Sequence, residues 1–247
     1  MRILLLTGIQ EELLPVLQPL QLTFRQHGAY QSVSYPDLYA ATTGPGLKKK
    51  SEIRTLLKEI QPEVIINAGL VGMLVDRQPP CPVPGDLLHL ASVVDAESEL
   101  VYPVNPHGET LVTVKAPVFE PREKWLLARQ FNADFCDMEA ARIIRLVRQV
   151  DEVREESPVL FLKVVGDLPD HYELYRHETL VRGWHRQSFL GKIKTGFKFP
   201  GGPANLRRLL KLKEAALAGL TLHVSRSVKA LLGGADPGEL GPLFVPA

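Results

Sequence analysis

The sequence predicts an α/β fold with a largely parallel sheet. Three observations predict it. Short apolar runs recur at RILLLT (2–7), EVIINA (63–68) and VLFLKVV (159–165). Each run meets a glycine at its end, Gly8, Gly69 or Gly166. An amphipathic helical pattern lies between the first two runs. Continuous apolar strands bounded by turns, alternating with helices, are the pattern of strands buried on both faces.

Taken in order, residues 2–7 form the first strand and Gly8 the turn. A helix begins near Glu11, where acids suit the positive end of the helix dipole. Its apolar side is Leu13, Leu14, Leu17 and Leu20, and Pro15 and Pro19 limit its length. Residues 29–43 are extended and broken at Pro36. Gly44-Pro45-Gly46 is a sharp turn. Lys48 to Ile60 is a helix with Ile53, Leu56, Leu57 and Ile60 on one face, ended by Pro62. Residues 63–68 are a buried strand bounded by Gly69 and Gly72.

Residues 77–85 carry four prolines and are irregular. Strands follow at 86–94 and 110–114, and a short helix from Lys124 to Ala128. A helix over 137–150 turns Ala140, Ala141, Ile144 and Val147 inward. The charged stretch 151–157 is a surface connection before the strand 159–165. Residues 168–203 are the least regular part. A long helix over 204–232 stops at Gly233-Gly234. The expected organisation is one domain over 1–234, with 168–203 divergent, and a loosely held tail over 235–247.

The composition bounds the function. The chain has 247 residues, 45% of them hydrophobic and 23% charged, which excludes disordered, collagenous and disulfide-scaffold classes. Cys81 and Cys136 are far apart in sequence and in no metal spacing. No metal and no bound cofactor are expected. The first residues lack the apolar length of a secretory signal, and no run approaches a membrane span. A cytoplasmic protein is the default expectation. Net charge is +1, yet residues 182–229 hold eleven Lys/Arg against the single acid Glu214.

Three acids stand where strands or loops meet helices. Glu12 follows the first strand, Glu139 opens the helix of DMEAARII, and Asp167 ends the strand VLFLKVV. In open α/β sheets ligands bind beyond the carboxyl ends of the strands, so these acids are candidates to converge. Gathered carboxylates suit glycosidic cleavage: one serves the leaving group, another activates water, and a third orients sugar hydroxyls. By position alone each acid also has a purely structural reading, as a dipole partner or cap, and Asp137 is the more natural cap beside Glu139.

Six blocks in order resemble a known family. MRILLLTGIQEEL, TTGPGLKKKSEI, EVIINAGLVGML, PGDLLHL, FCDMEAARI and VLFLKVVGDLPD are similar to segments of the methylthioadenosine/S-adenosylhomocysteine nucleosidases. The family writes the third as VIINTGSAGGL, the fifth around VEMEA, and the sixth ending in ISDLAD. The resemblance spans residues 1 to about 170 and extends to the last helix. It implies the purine nucleoside phosphorylase and nucleosidase superfamily, with a three-layer α/β/α sandwich around a twisted, mostly parallel mixed sheet. It implies cleavage of a nucleoside N-glycosidic bond. By motif, Glu12 matches the water-activating glutamate and Asp167 the aspartate that gives a proton to the purine. Met138 matches the methionine against the ribose, and Glu139 the glutamate on the ribose hydroxyls. Gly69 lies in the glycine segment of the base site, and Phe119 corresponds to a purine-stacking phenylalanine or is a core aromatic. Donation by Asp167 at neutral pH implies a raised pKa. The sequence departs from the family at Gly69-Leu70-Val71-Gly72, where the family has GSAG, and at Gly166, where it has serine. Residues 171–203 have no counterpart.

Hydrolysis and phosphorolysis differ in anion binding. Thr43, Gly44, Gly46 and Lys48 to Lys50 are the candidate phosphate donors, although three lysines opening a helix also form an ordinary solvated face. Glu12 beside the nucleophile repels phosphate and favours water. The expectation is a nucleosidase acting on a small purine-type nucleoside, with a phosphorylase of an unusual 5′-substituted nucleoside as the alternative. The resemblance also implies a homo-oligomer. The basic segment 182–229, with Trp184, Phe189, Phe197 and Phe199 among its charges, suits a packed amphipathic helix, a subunit interface, a lid or an anionic partner. It matches no nucleic-acid-binding motif, and no nucleic-acid partner is expected. A non-catalytic protein using that surface is the reading from another class.

Overall fold

A computed structural model of the chain describes residues 1–24, 29–75, 81–150, 157–169, 195, 199–241 and 243–244. The strands are β1 (Ile3–Thr7), β2 (Leu22–Phe24), β3 (Ala29–Ser32), β4 (Leu38–Thr42), β5 (Val64–Met73), β6 (Leu90–Asp95), β7 (Val101–Pro103), β8 (Glu109–Thr113), β9 (Phe135–Asp137), β10 (Val159–Asp167) and β11 (Leu243–Phe244). The helices are α1 (Gln10–Leu17), α2 (Lys50–Ile60), α3 (Pro121–Phe131), α4 (Ala140–Val147) and α5 (Gly202–Leu232).

The strands form one mixed sheet in the order β2-β3-β4-β1-β5-β9-β8-β6-β7. It branches at β5, which pairs in parallel with β1 along one edge and with β10 along the other. The far end of β5 pairs antiparallel with β9, Gly72 opposite Cys136. The central pairs β1–β4, β1–β5, β5–β10, β6–β8 and β8–β9 are parallel, and the sheet's other pairings are antiparallel.

Two apolar cores sandwich the sheet, as the three-layer expectation requires. On one face Ile53, Leu56, Leu57 and Ile60 of α2 and Ile143, Ile144 and Val147 of α4 pack on Leu4, Leu6, Ile65 and Phe161. On the other, Leu13 and Val16 of α1 and Leu220, Val224, Val228 and Leu231 of α5 pack on Ile3, Leu5, Ile66 and Leu162. Full burial of a side chain such as Phe161 or Ile66 contributes about 2–3 kcal/mol.

Several elements depart from the sequence expectation. Leu14 is exposed while Val16 is buried, so the buried side of α1 is rotated from the predicted one. β5 runs through Gly69 and Gly72 instead of ending between them. The expected helix over 137–150 is shorter: Asp137 ends β9 and Glu139 is the N-cap of α4. α3 is longer than Lys124 to Ala128. In the tail, Asp236 caps a short 3-10 turn, and Leu243–Phe244 pair antiparallel with the start of β10. Most of the divergent segment 168–203, including Trp184, Phe189 and Phe197, lies outside the described residues.

Candidate active site

The strands β1, β5 and β10 end side by side, and the turns after them carry the acids. Glu12 sits in the first turn of α1 and is buried. Its Oε2 accepts from Gly8 N at 2.9 Å and Ile9 N at 3.2 Å, which closes the open end of the helix. Its Oε1 accepts from Leu70 N at 2.9 Å, which ties the carboxylate across to β5. A cap needs only the first two bonds, so the third holds Glu12 at the strand ends. Burial raises its pKa, against the opposing pull of the Leu70 N–H, the Lys163 charge and the other two amides.

Glu139 enters from the other side. Its Oε1 accepts from Gly46 N at 2.9 Å. Gly46 has φ +66°, and a Cβ there would stand 2.9 Å from the guanidinium of Arg142 and 3.8 Å from Cε of Met138. Arg142 in turn donates to Gly46 O at 2.8 Å, fixing the turn against α4. The Glu139 carboxyl is pushed up to about 7, first by burial and then by the negative charge of Asp137, with Glu12 adding to it. Its proton is held more tightly than that of an ordinary carboxyl.

Gly8 lies between the two carboxylates. A Cβ on it would be 3.2 Å from Glu12 Oε2 and 3.2 Å from Glu139 Oε1. Gly69 leaves room in the same way, since its Cβ would stand 3.3 Å from Glu12 Oε1. A Cβ on Gly72 would collide with Oδ1 of Asp167. The glycines inside β5 thus leave space for two different carboxylates. The departures at Leu70 and Gly166 are also linked: a Cβ on Gly166 would lie 2.9 Å from Cβ of Leu70, so the bulk gained on β5 is offset by bulk missing on β10.

The structure therefore brings Glu12, Glu139 and Gly69 together, sets Met138 beside the Gly46 turn, and places Asp167 next to Gly72 at the end of β10. Phe119 precedes α3 and packs against Phe199, Leu206 and Leu209 of a separate apolar cluster.

Two residues, Lys163 and Lys124, escaped the sequence reading, and a third, Asp137, does more than the capping expected of it. Asp137 is a buried hub: Thr113 Oγ1 donates to its Oδ1 at 2.7 Å, Ala140 N to its Oδ2 at 2.9 Å, and Lys163 Nζ lies 2.8 Å from Oδ2. It is the cap its position suggested, and through Lys163 it also anchors a cation whose field reaches Glu12 and Glu139. Lys163 is fully buried in β10 opposite Gly69. A lysine inside the apolar run VLFLKVV was the available signal. Lys124, fully buried on α3, places Nζ 2.6 Å from Oδ2 of Asp167. Nothing in its local sequence marks it.

The comparisons bear on the fold. No protein-family model matches the sequence, and no curated protein sequence does. Solved structures do. The chain is similar to the apo 5′-methylthioadenosine nucleosidase of Arabidopsis thaliana, with TM-score 0.63 and 16% identity over 96% of this chain and 98% of that one. It is similar to the 5′-methylthioadenosine/S-adenosylhomocysteine nucleosidase of Campylobacter jejuni, with TM-score 0.55 and 17% identity over 68% of this chain and 86% of that one. It is also similar to the futalosine hydrolase of Helicobacter pylori, with TM-score 0.55 and 14% identity over 72% of this chain and 92% of that one. The chain shares its fold with these solved nucleosidases and the hydrolase.

Proposed function

We infer that this protein hydrolyses the N-glycosidic bond of a purine-type nucleoside, releasing free base and a ribosyl product. One observation carries the reading: the buried Glu12 carboxylate faces Glu139 across Gly8, at the ends of β1 and β5. Glu12, with its raised pKa, is suited to take a proton from water. Glu139, poised near neutrality, suits hydrogen bonding to ribose hydroxyls as donor or acceptor. Met138 packs on the sugar and Asp167 serves the base. The transition state is a ribosyl cation leaving a base, which a site with anions on the sugar side stabilises. The similarity to solved nucleosidases supports the same reading.

Water is favoured over phosphate by a particular arrangement. The backbone amides that would cradle an anion are already engaged by carboxylates: Gly46 N by Glu139, and Gly8, Ile9 and Leu70 N by Glu12. Lys49 is turned to Thr42 Oγ1 at 3.0 Å, while Lys48 and Lys50 are exposed. The purine preference and a homo-oligomeric state are carried by the sequence resemblance, and an anionic partner at the basic segment by the charge pattern. On α5 that segment presents exposed Arg207, Arg208 and Lys211.

The test is base release, followed by chromatography, from adenosine, inosine, methylthioadenosine, S-adenosylhomocysteine and 5′-alkyl adenosines. Release without phosphate supports the reading. Release that requires phosphate replaces it with phosphorolysis. No release, together with salt-sensitive binding to an anionic polymer or membrane, replaces it with the binding protein.

A further inference from the structure

Lys124 is a buried charge, among the described residues, that the mechanism above leaves unused. It lies in the first turns of α3, its backbone N bonded to Glu120 O at 3.0 Å, and its side chain has no exposure. Its Nζ sits 2.6 Å from Oδ2 of Asp167, which is 15% exposed. Taking an ammonium out of water costs several kcal/mol, and an apolar side chain of that length would fill the space without that cost. A buried ion pair that ends in a residue of the candidate site is itself a candidate for function.

Among the described residues, groups from three elements face Asp167. β5 offers Gly72, whose missing Cβ makes room for Oδ1. β9 offers Cys136, whose thiol burial and the Asp167 charge push up to about 12, so it stays protonated. Beyond it Asp137 is engaged by Lys163. α3 offers Lys124. Lys124 Nζ donates to Oδ2 of Asp167 at 2.6 Å, so a proton of the lysine already lies between the two groups. A neutral Asp167 acting alone is not what this arrangement holds.

We propose that the proton given to the departing base is stored on Lys124 and passes through Asp167, which makes Lys124 a positioning residue of the cleavage. The proposal rests on the nucleosidase reading. As the C1′–N bond breaks, its electron pair goes to the base. The Nζ–H bond breaks as an Oδ2–H bond forms. The Oδ2–H bond then breaks as an N–H bond forms on the base. Lys124 ends as a neutral amine and Asp167 as an anion. The attacking water gives its proton to Glu12, which passes it to solvent, and before the next turnover solvent returns a proton to Lys124 through Asp167, the partly exposed member of the pair. The substrates served are those whose leaving group needs a proton to depart.

The test compares Lys124→Met with the unmodified protein on two substrates. One is the nucleoside the protein cleaves best. The other is 4-nitrophenyl riboside, whose leaving group departs as a stable anion. For the variant, kcat on the nucleoside should fall about 100-fold or more at pH 7.5. It should recover in part as the pH is lowered and solvent supplies the proton to Asp167 in place of Lys124. Cleavage of 4-nitrophenyl riboside should change only a few-fold. Lys124→Arg keeps the charge but does not release a proton, so it should not rescue the nucleoside. Lys124→Gln carries the same comparison if Lys124→Met does not fold. Equal loss on both substrates in a folded variant, no loss on either, or rescue by arginine overturns the proposal alone. An unmodified protein inactive on every nucleoside and on 4-nitrophenyl riboside overturns the nucleosidase reading, and the proposal with it.

Discussion

Glu12 and Glu139 face one another across Gly8, each with a carboxylate oxygen 3.2 Å from the position a Cβ on that glycine would occupy. One acid is held by β1, α1 and β5, the other by the Gly46 turn and α4. Two acids 127 positions apart in sequence thus share one small space. The account of function follows from what that space does to each of them.

Glu12→Gln keeps the size of the side chain and removes the base. Turnover of an accepted nucleoside should fall about 100-fold or more, with KM changed little, because the loss falls on the chemical step. Steady-state kinetics decide it. A variant with near-native kcat would remove Glu12 from the chemistry and leave it as the cap of α1.

Gly72→Ala tests the space for Asp167. The added methyl meets Oδ1, so the carboxylate has to move. Displacement of a reacting group by about 1 Å costs about 100-fold in rate. Gly69→Ala, whose Cβ would stand 3.3 Å from Glu12 Oε1, should be milder. Equal kcat/KM for the Gly72 variant and the unmodified protein would contradict the placement of Asp167.

Lys163→Met leaves Asp137 buried without its cation. Breaking such a pair costs about 3–5 kcal/mol, equivalent to about 10 °C in Tm for a chain of this size. The same change removes a positive field that lowers the pKa of both Glu12 and Glu139. The acid limb of kcat/KM should therefore move to higher pH. Thermal melts and a pH–rate profile check the two effects separately.

Glu139 links stability to pH. Its carboxyl rises from 4.5 to about 7 on folding, so the folded chain binds this proton more tightly than the unfolded chain. The stabilisation is fully present below about pH 4.5 and is lost as pH rises through about 7, amounting to about 3 kcal/mol over that window. Glu139→Gln should lack this dependence. The Tm difference between unmodified protein and variant, followed from pH 4.5 to 7.5, should shift against the unmodified protein as pH rises. A constant difference would contradict the burial of Glu139.

Much of this was legible in the sequence, and the rest had physical reasons to stay hidden. The apolar runs of β1, β5 and β10 read directly as buried strands, because no polar alternation competes with them. Glu12, Glu139 and Asp167 stood out as candidates because each lies at the boundary of an element. The extent of β5 was not, because glycine is an ordinary strand breaker, and only the carboxylates of Glu12 and Asp167 explain Gly69 and Gly72 inside it. The short edge strands β2 and β7 carry too few residues for a period. Lys124 was hidden because a lysine is expected at the surface and its partner acid lies far away in sequence, whereas Lys163 stood out inside the apolar run of β10 and only its partner Asp137 was out of reach.

The measurement that tests the central claim most directly is cleavage of the preferred nucleoside in phosphate-free, 18O-labelled water. The account expects free base and ribosyl product in equal amounts, with one 18O atom at C1′ of the sugar, and no acceleration on adding phosphate. A sugar 1-phosphate as product, or base release only when phosphate is present, would contradict it.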